Sequence, residues 1–308
     1  MSKIAFIFPG QGAQYIGMGE DFYEKEDVSR EIFDKASQIT GMDIPALCFE
    51  VNDKLSITEY TQIAMLTDEI AILKALEKRG IRPNVTAGLS LGEYGAIVAA
   101  GAMRDEDALA IVRRRGIYMQ EEVPTGGAMA AILGLSAEVI EEVCAKTQGL
   151  VSIANYNCPG QIVITGEVNA VNAAGEALKE NGAKRVVPLK VSGPFHSQML
   201  VGAGEKLLKD LEKVQFPEFE IPYVANLTAD YVTEPDRIRE MLTLQVSSPV
   251  KWQQSVERML KDGVDTFVEI GPGKTLSGFM KKINKEVTVL NIDKYEDLEK
   301  CVEVLTHA

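Results

Sequence analysis

The chain has 308 residues, 46% hydrophobic and 25% charged, an ordinary globular composition for one large domain or a large domain with a smaller companion. A formal net charge of −13 argues against a general nucleic-acid binder, which needs a basic face, and the early apolar run Ile4 to Phe8 is too short to cross a membrane or form a signal-peptide core. Cys48, Cys144, Cys158 and Cys301 are scattered without a C-x-x-C pair, so reduced thiols in a cytoplasmic protein are expected, with no disulfide framework and no metal site.

Residues 3–8 form a continuous apolar run, the pattern of a strand buried on both faces, and Pro9-Gly10-Gln11-Gly12-Ala13-Gln14 breaks it. A helix is predicted over 62–79 from Ile63, Leu66, Ile70, Leu73 and Leu76 at three- and four-residue steps. Residues 84–89 then read as a short strand and 91–100 as a helix of small residues. Between them Gly88-Leu89-Ser90-Leu91-Gly92 fits G-x-S-x-G, and strand, turn and helix are the setting that motif needs to expose a serine nucleophile. The simpler alternative is a glycine-rich turn with a serine N-cap. In a true elbow, side chains at 88 and 92 would collide with the crossing strand and helix. The Leu91 N–H, at the start of a helix, would then be one oxyanion donor.

Asp105 is expected to cap a helix running to about Gln120, with Ala108, Val112, Arg115 and Met119 on its inward face. Arg113 and Arg114 point elsewhere and are expected in solvent. An inward guanidinium needs an anion, and periodicity leaves open whether that is a substrate carboxylate or a structural Asp or Glu.

From 126 to 196 the rhythm changes to strand 128–133, helix 136–146 with Ser136 as N-cap, strands 151–156 and 161–165, helix 168–180 and strand 185–191. The order β-α-β-β-α-β is the split βαβ arrangement of ferredoxin-like domains. Afterwards α/β signals resume at Ile221 to Val224, Trp252 to Leu260 and Thr266 to Ile270. The expected fold is therefore a large α/β domain with a parallel sheet, residues 1–125 and 197–308, holding an inserted small α+β domain, residues 126–196.

A serine hydroxyl needs a nearby base, and the sequence offers two histidines. His307 is penultimate, where chains fray. His196 follows a predicted strand in the turn-rich Val191-Ser192-Gly193-Pro194-Phe195-His196-Ser197, so it is the expected base. Too much chain follows it for the Ser-Asp/Glu-His order of ordinary α/β-hydrolases. Gly10-Gln11-Gly12 follows the first strand, where loops at strand carboxyl ends line ligand crevices, and Gln11 is expected to supply a second oxyanion N–H. Tyr15 in place of a third glycine excludes a dinucleotide fingerprint, and Glu269 in place of the first glycine excludes a P-loop at Gly271-Pro272-Gly273-Lys274-Thr275.

Phe8-Pro9-Gly10-Gln11-Gly12, Gly88-Leu89-Ser90-Leu91-Gly92-Glu93, Arg115-Gly116, Pro194-Phe195-His196-Ser197, Pro249-Val250-Lys251-Trp252 and Glu269-Ile270-Gly271-Pro272-Gly273 occur in that order along the chain. Together they resemble the malonyl-CoA:acyl carrier protein transacylase family, related to polyketide synthase acyltransferase domains. The resemblance implies a hydrolase-like α/β domain with a ferredoxin-like insertion. It implies Ser90 as acyl carrier, His196 as base, Arg115 as partner of the malonyl carboxylate, and the Gln11 and Leu91 amides as oxyanion donors. It also implies that the backbone carbonyl of Gln245 orients the histidine in place of a carboxylate. Malonyl-CoA and acyl carrier protein are the implied partners, in fatty-acid biosynthesis, with no cofactor beyond the coenzyme A thioester substrate, no nucleic acid and no membrane; a monomer is expected.

The family's usual histidine before the serine is Leu89 here, so any contribution of that histidine to positioning or selectivity is absent. Leu91 and Phe195 resemble the malonyl-selective versions. Because carrier proteins of this family context are acidic, Lys184, Arg185 and Lys190, or Lys281, Lys282 and Lys285, are candidates for a local docking patch. The alternatives are a polyketide acyltransferase, a serine (thio)esterase, and a non-catalytic scaffold within a larger synthase.

Overall fold

In a computed structural model that describes residues 2–191 and 193–307, without the His307 side chain, ten strands form two sheets among the described residues. β1 (Ile4–Phe8) and β2 (Val85–Gly88) belong to the first. β3 (Gly127–Leu133), β4 (Val151–Cys158), β5 (Gln161–Glu167) and β6 (Arg185–Pro188) make up the second. β7 (Tyr223–Val224), β8 (Tyr231–Val232), β9 (Thr266–Ile270) and β10 (Thr288–Ile292) return to the first.

The first sheet has the order β10-β9-β1-β2-β7-β8, parallel throughout except for the β7–β8 hairpin at its edge. β1 and β9 lie inside it and are buried on both faces, as strands covered by helices on each side must be, with Glu269 of β9 a buried carboxylate. The second sheet, β4-β5-β3-β6, is wholly antiparallel. Helices Ala137–Lys146 and Val168–Glu180 pack on it around Ile132, Ile140, Ile164 and Leu178, which completes the split βαβ pattern.

The two units are stitched together at β4. Tyr156 N donates to the Val250 carbonyl at 2.9 Å, and Val250 N donates to the Ala154 carbonyl at 2.8 Å. Cys158 of β4 shares an apolar cluster with Val250 and Trp252, so the small sheet is anchored to the wall of the large one.

Four details differ from the sequence reading. The helix expected over 62–79 runs Thr58–Lys78 and is buried around nearly its whole circumference, because helices pack on several sides of it. Asp105 is the first helical residue rather than the cap, a position Arg104 occupies. Arg113 is not a solvated charge: it donates to the Glu59 carbonyl at 2.7 Å and pairs with the Glu59 carboxylate at 2.9 Å. The strand expected over 185–191 stops at Pro188, although Leu189 N still reaches the Met129 carbonyl at 2.9 Å.

Candidate active site

The carboxyl ends of β1, β2 and β7 converge on one crevice, as expected for a parallel α/β sheet. At the end of β2 the backbone turns sharply, and Ser90 adopts φ 55°, a left-handed conformation that costs a non-glycine residue roughly 1–3 kcal/mol. The turn is tight enough that a Cβ on Gly88 would run into the backbone of Gly92, and a Cβ on Gly92 into the carbonyls of Phe8 and Pro9. The strain is held by Asn226, just past β7: its Oδ1 accepts from Ser90 N and its Nδ2 donates to the Gly88 carbonyl, both at 2.6 Å.

Ser90 Oγ lies 2.7 Å from His196 Nε2. His196 is 3% exposed and also left-handed, with φ 60°. Its Nδ1 is 2.9 Å from the backbone carbonyl of Gln245. A carbonyl can only accept, so Nδ1 carries the proton and Nε2 faces the serine with a free lone pair. Burial, and then the nearby positive charge of Arg115, pushes the His196 pKa down to about 4, with the Gln245 backbone opposing in part.

Arg115 is 1% exposed, on the inward face of helix Asp105–Glu122. Its guanidinium donates to Gln62 Oε1 at 2.8 Å, to Gln245 Oε1 at 3.0 Å and to Ser90 Oγ at 3.2 Å. All three partners are neutral. Among the described residues no carboxylate forms an ion pair with it, and burial lowers its pKa.

A cavity of about 220 Å³ opens in front of these groups. The loop after β1, the elbow and helix Thr275–Ile283 wall it on one side, and Met129, Asn155, Asn157 and Val163 of the second sheet on the other. Gln11 and Leu91 both line it, and among the described residues neither backbone N–H has a hydrogen-bond acceptor. The Gln11 side chain is tied back to Thr58 Oγ1 at 3.0 Å, which leaves its main chain facing the cavity. Leu89 is a half-buried apolar lining residue beside Gly10. Of the charged clusters, Lys281, Lys282 and Lys285 are exposed at and beyond the end of the helix whose Thr275 and Phe279 line the cavity. Lys184, Arg185 and Lys190 are exposed around the edge strand β6. No described helix is long and apolar enough to cross a membrane, and no described cluster of His, Cys, Asp and Glu is placed to hold a metal.

Comparison with known families matches residues 5–301 to the acyl transferase domain. The chain belongs to that family. A Bacillus subtilis malonyl CoA-acyl carrier protein transacylase is 46% identical over 310 residues, covering 99% of this chain and 98% of the relative. The crystal structure of a malonyl CoA-acyl carrier protein transacylase from Clostridium perfringens superposes with a TM-score of 0.95 at 45% identity, covering 99% of this chain and 98% of that one. A malonyl-transacylase solved in complex with its type II PKS acyl-carrier protein is 39% identical, with a TM-score of 0.95 over 98% of this chain and all (100%) of that one.

Within this acyl transferase the structure brings Ser90, His196, Arg115, Gln245, Gln11 and Leu91 to one crevice. Three further residues of the site were not reached by sequence reasoning. Asn226 had a signal, since it follows an apolar run next to a parallel strand end. Glu93 stands inside the elbow motif itself and is fully buried, accepting from Gln245 Nε2 at 2.6 Å and Asn226 N at 3.2 Å. Gln62 carried no local signal; only the packing of its helix against that of Arg115 reveals it.

Proposed function

We propose that this acyl transferase moves a malonyl group from malonyl-CoA to the phosphopantetheine thiol of acyl carrier protein, through a malonyl ester on Ser90, in cytoplasmic fatty-acid biosynthesis. The observation that carries this reading is a buried guanidinium beside the nucleophile whose hydrogen-bond partners are all neutral amides or a hydroxyl, so that a substrate carboxylate can form the direct ion pair it lacks among the described residues. An acetyl group cannot form that pair.

In the first half-reaction His196 Nε2 takes the Ser90 proton as Oγ attacks the thioester carbonyl. The developing oxyanion is held by the Gln11 and Leu91 amides, which are preorganised and cost no rearrangement. Collapse expels the coenzyme A thiolate, which receives the proton from His196. The carrier-protein thiol then gives its proton to His196 and attacks the malonyl ester, and Ser90 Oγ recovers the proton on leaving. The Gln245 carbonyl keeps Nδ1 protonated throughout and stabilises the transient imidazolium without a third carboxylate. No cofactor takes part.

Intact-protein mass spectrometry after mixing with malonyl-, methylmalonyl- and acetyl-CoA tests this directly. A malonyl adduct is expected on the native chain, none on Ser90→Ala, and release only when holo carrier protein is added. Rapid release of free malonate without carrier protein would instead make the chain a thioesterase.

The pH dependence follows from His196. A base works when neutral, and its pKa is lowered from 6.5 to about 4, so kcat/KM for Ser90 acylation should stay level as pH falls from neutral and drop only on approach to about 4. An acid limb centred near 6.5 would show that burial and Arg115 do not lower the His196 pKa.

A further inference from the structure

The geometry points to Glu93 as a positioning residue: its carboxylate fixes the polarity of the Gln245 side-chain amide, and thereby keeps Arg115 aimed at the incoming acyl carboxylate. This rests on the malonyl reading above and assigns it one more residue.

Among the described residues and outside its own helix, Gln245 makes four hydrogen bonds of 3.0 Å or shorter, each of fixed polarity. Its Nε2 lies 2.6 Å from Glu93 Oε2 and 2.9 Å from the Ser90 carbonyl, while its Oε1 lies 3.0 Å from Arg115 Nη2. Its backbone carbonyl takes the His196 Nδ1–H. Arginine can only donate and a backbone carbonyl can only accept, so turning the amide over would set donor against donor at Arg115 and acceptor against acceptor at Ser90. Glu93 makes the shortest side-chain contact to Nε2, with Asn226 Oδ1 farther off at 3.5 Å.

The same oxygen, Oε2, also takes the backbone N–H of Asn226, whose side chain bonds the Ser90 amide. The Asn226 side chain keeps its own bonds to the Ser90 amide and the Gly88 carbonyl, so the turn does not depend on this longer 3.2 Å contact. What matters in this arrangement is acceptance at Oε2, which a protonated acid or an amide oxygen also provides. Burial pushes the Glu93 pKa up to about 7, opposed by the Gln245 and Asn226 hydrogen bonds and by the nearby Arg115 charge, so the neutral form is accessible in the folded site.

Two substitutions separate acceptance from mere packing. Glu93→Met is near in size and offers only a weak thioether acceptor; Glu93→Gln can present an amide oxygen to the same two donors. Each folded variant is assayed for malonylation of Ser90 and for phosphonylation of Ser90 by a neutral serine-directed phosphonate, which needs the Ser90–His196 pair and not Arg115. With Glu93→Met, malonylation is expected to slow by about tenfold or more while phosphonylation stays within about threefold, and Glu93→Gln should recover malonylation to within about threefold of native. Native-like malonylation in the Met variant would overturn the assignment. Parallel loss of both reactions in a folded Met variant, or a Gln variant as slow as Met, would do the same. Should Glu93→Met not fold, Glu93→Leu, which has no acceptor at all, is held to the same selective loss of malonylation. Absence of any malonyl adduct on the native chain would instead sink the substrate reading, independently of Glu93.

Discussion

Replacing His196 with alanine is expected to slow acylation of Ser90 by about 10²- to 10⁴-fold, the usual worth of a positioned general base. The geometry leaves little to compensate. Of the two side chains that, among the described residues, lie within hydrogen-bonding distance of Ser90 Oγ, Arg115 is a donor and cannot take the proton. The effect should be strongly non-additive with Ser90→Ala, because the pair acts as a unit and removing one member leaves the other idle. Rapid-quench measurement of the malonyl-enzyme gives the rate directly. A His196→Ala rate within tenfold of native would mean that another group activates the serine.

The second large effect is expected at Arg115. Alanine there should lower kcat/KM for malonyl-CoA by on the order of 2–4 kcal/mol, or about 30- to 1,000-fold, because the substrate carboxylate would be desolvated without a partner. Acetyl transfer has no such carboxylate and should change far less, so selectivity collapses along with rate. Lysine is not expected to rescue: the guanidinium reaches Gln62 and Gln245 as a fork while still bonding Ser90 Oγ, and a single ammonium cannot span those positions. A further sign comes from the histidine. The Arg115 charge helps depress the His196 pKa, so Arg115→Ala should move the acid limb of the pH profile upward. Competition between malonyl- and acetyl-CoA measures the selectivity; an unchanged malonyl preference would remove Arg115 from substrate recognition.

Most of this architecture was legible before any coordinates because its signals are local. The elbow is written in five consecutive residues: only glycine at 88 and 92 lets strand, turn and helix approach closely enough to expose Ser90. The β-α-β-β-α-β order of the second sheet could be read from the spacing of strands and turns. The phase of one helix placed Arg115 inward, since a 3.6-residue period is a property of the chain itself. Where the reading failed locally, neighbours decided. Arg113 was turned from solvent to Glu59 by the adjacent helix, and helix Thr58–Lys78 lost its apolar stripe to burial on almost every side.

What the sequence by itself determined, then, was the nucleophile's setting, the shortage of alternative bases and the inward face of one arginine. Tertiary structure alone decided which groups complete them. Arg115 meets Gln62 and Gln245 at separations of 53 and 130 residues, and Ser90 N meets Asn226 across 136. Such contacts leave no periodic trace, because they depend on how whole elements pack and not on the geometry of any one of them. That packing set amide oxygens around the guanidinium in place of a direct ion pair, an arrangement that helical phase could not choose over a structural carboxylate.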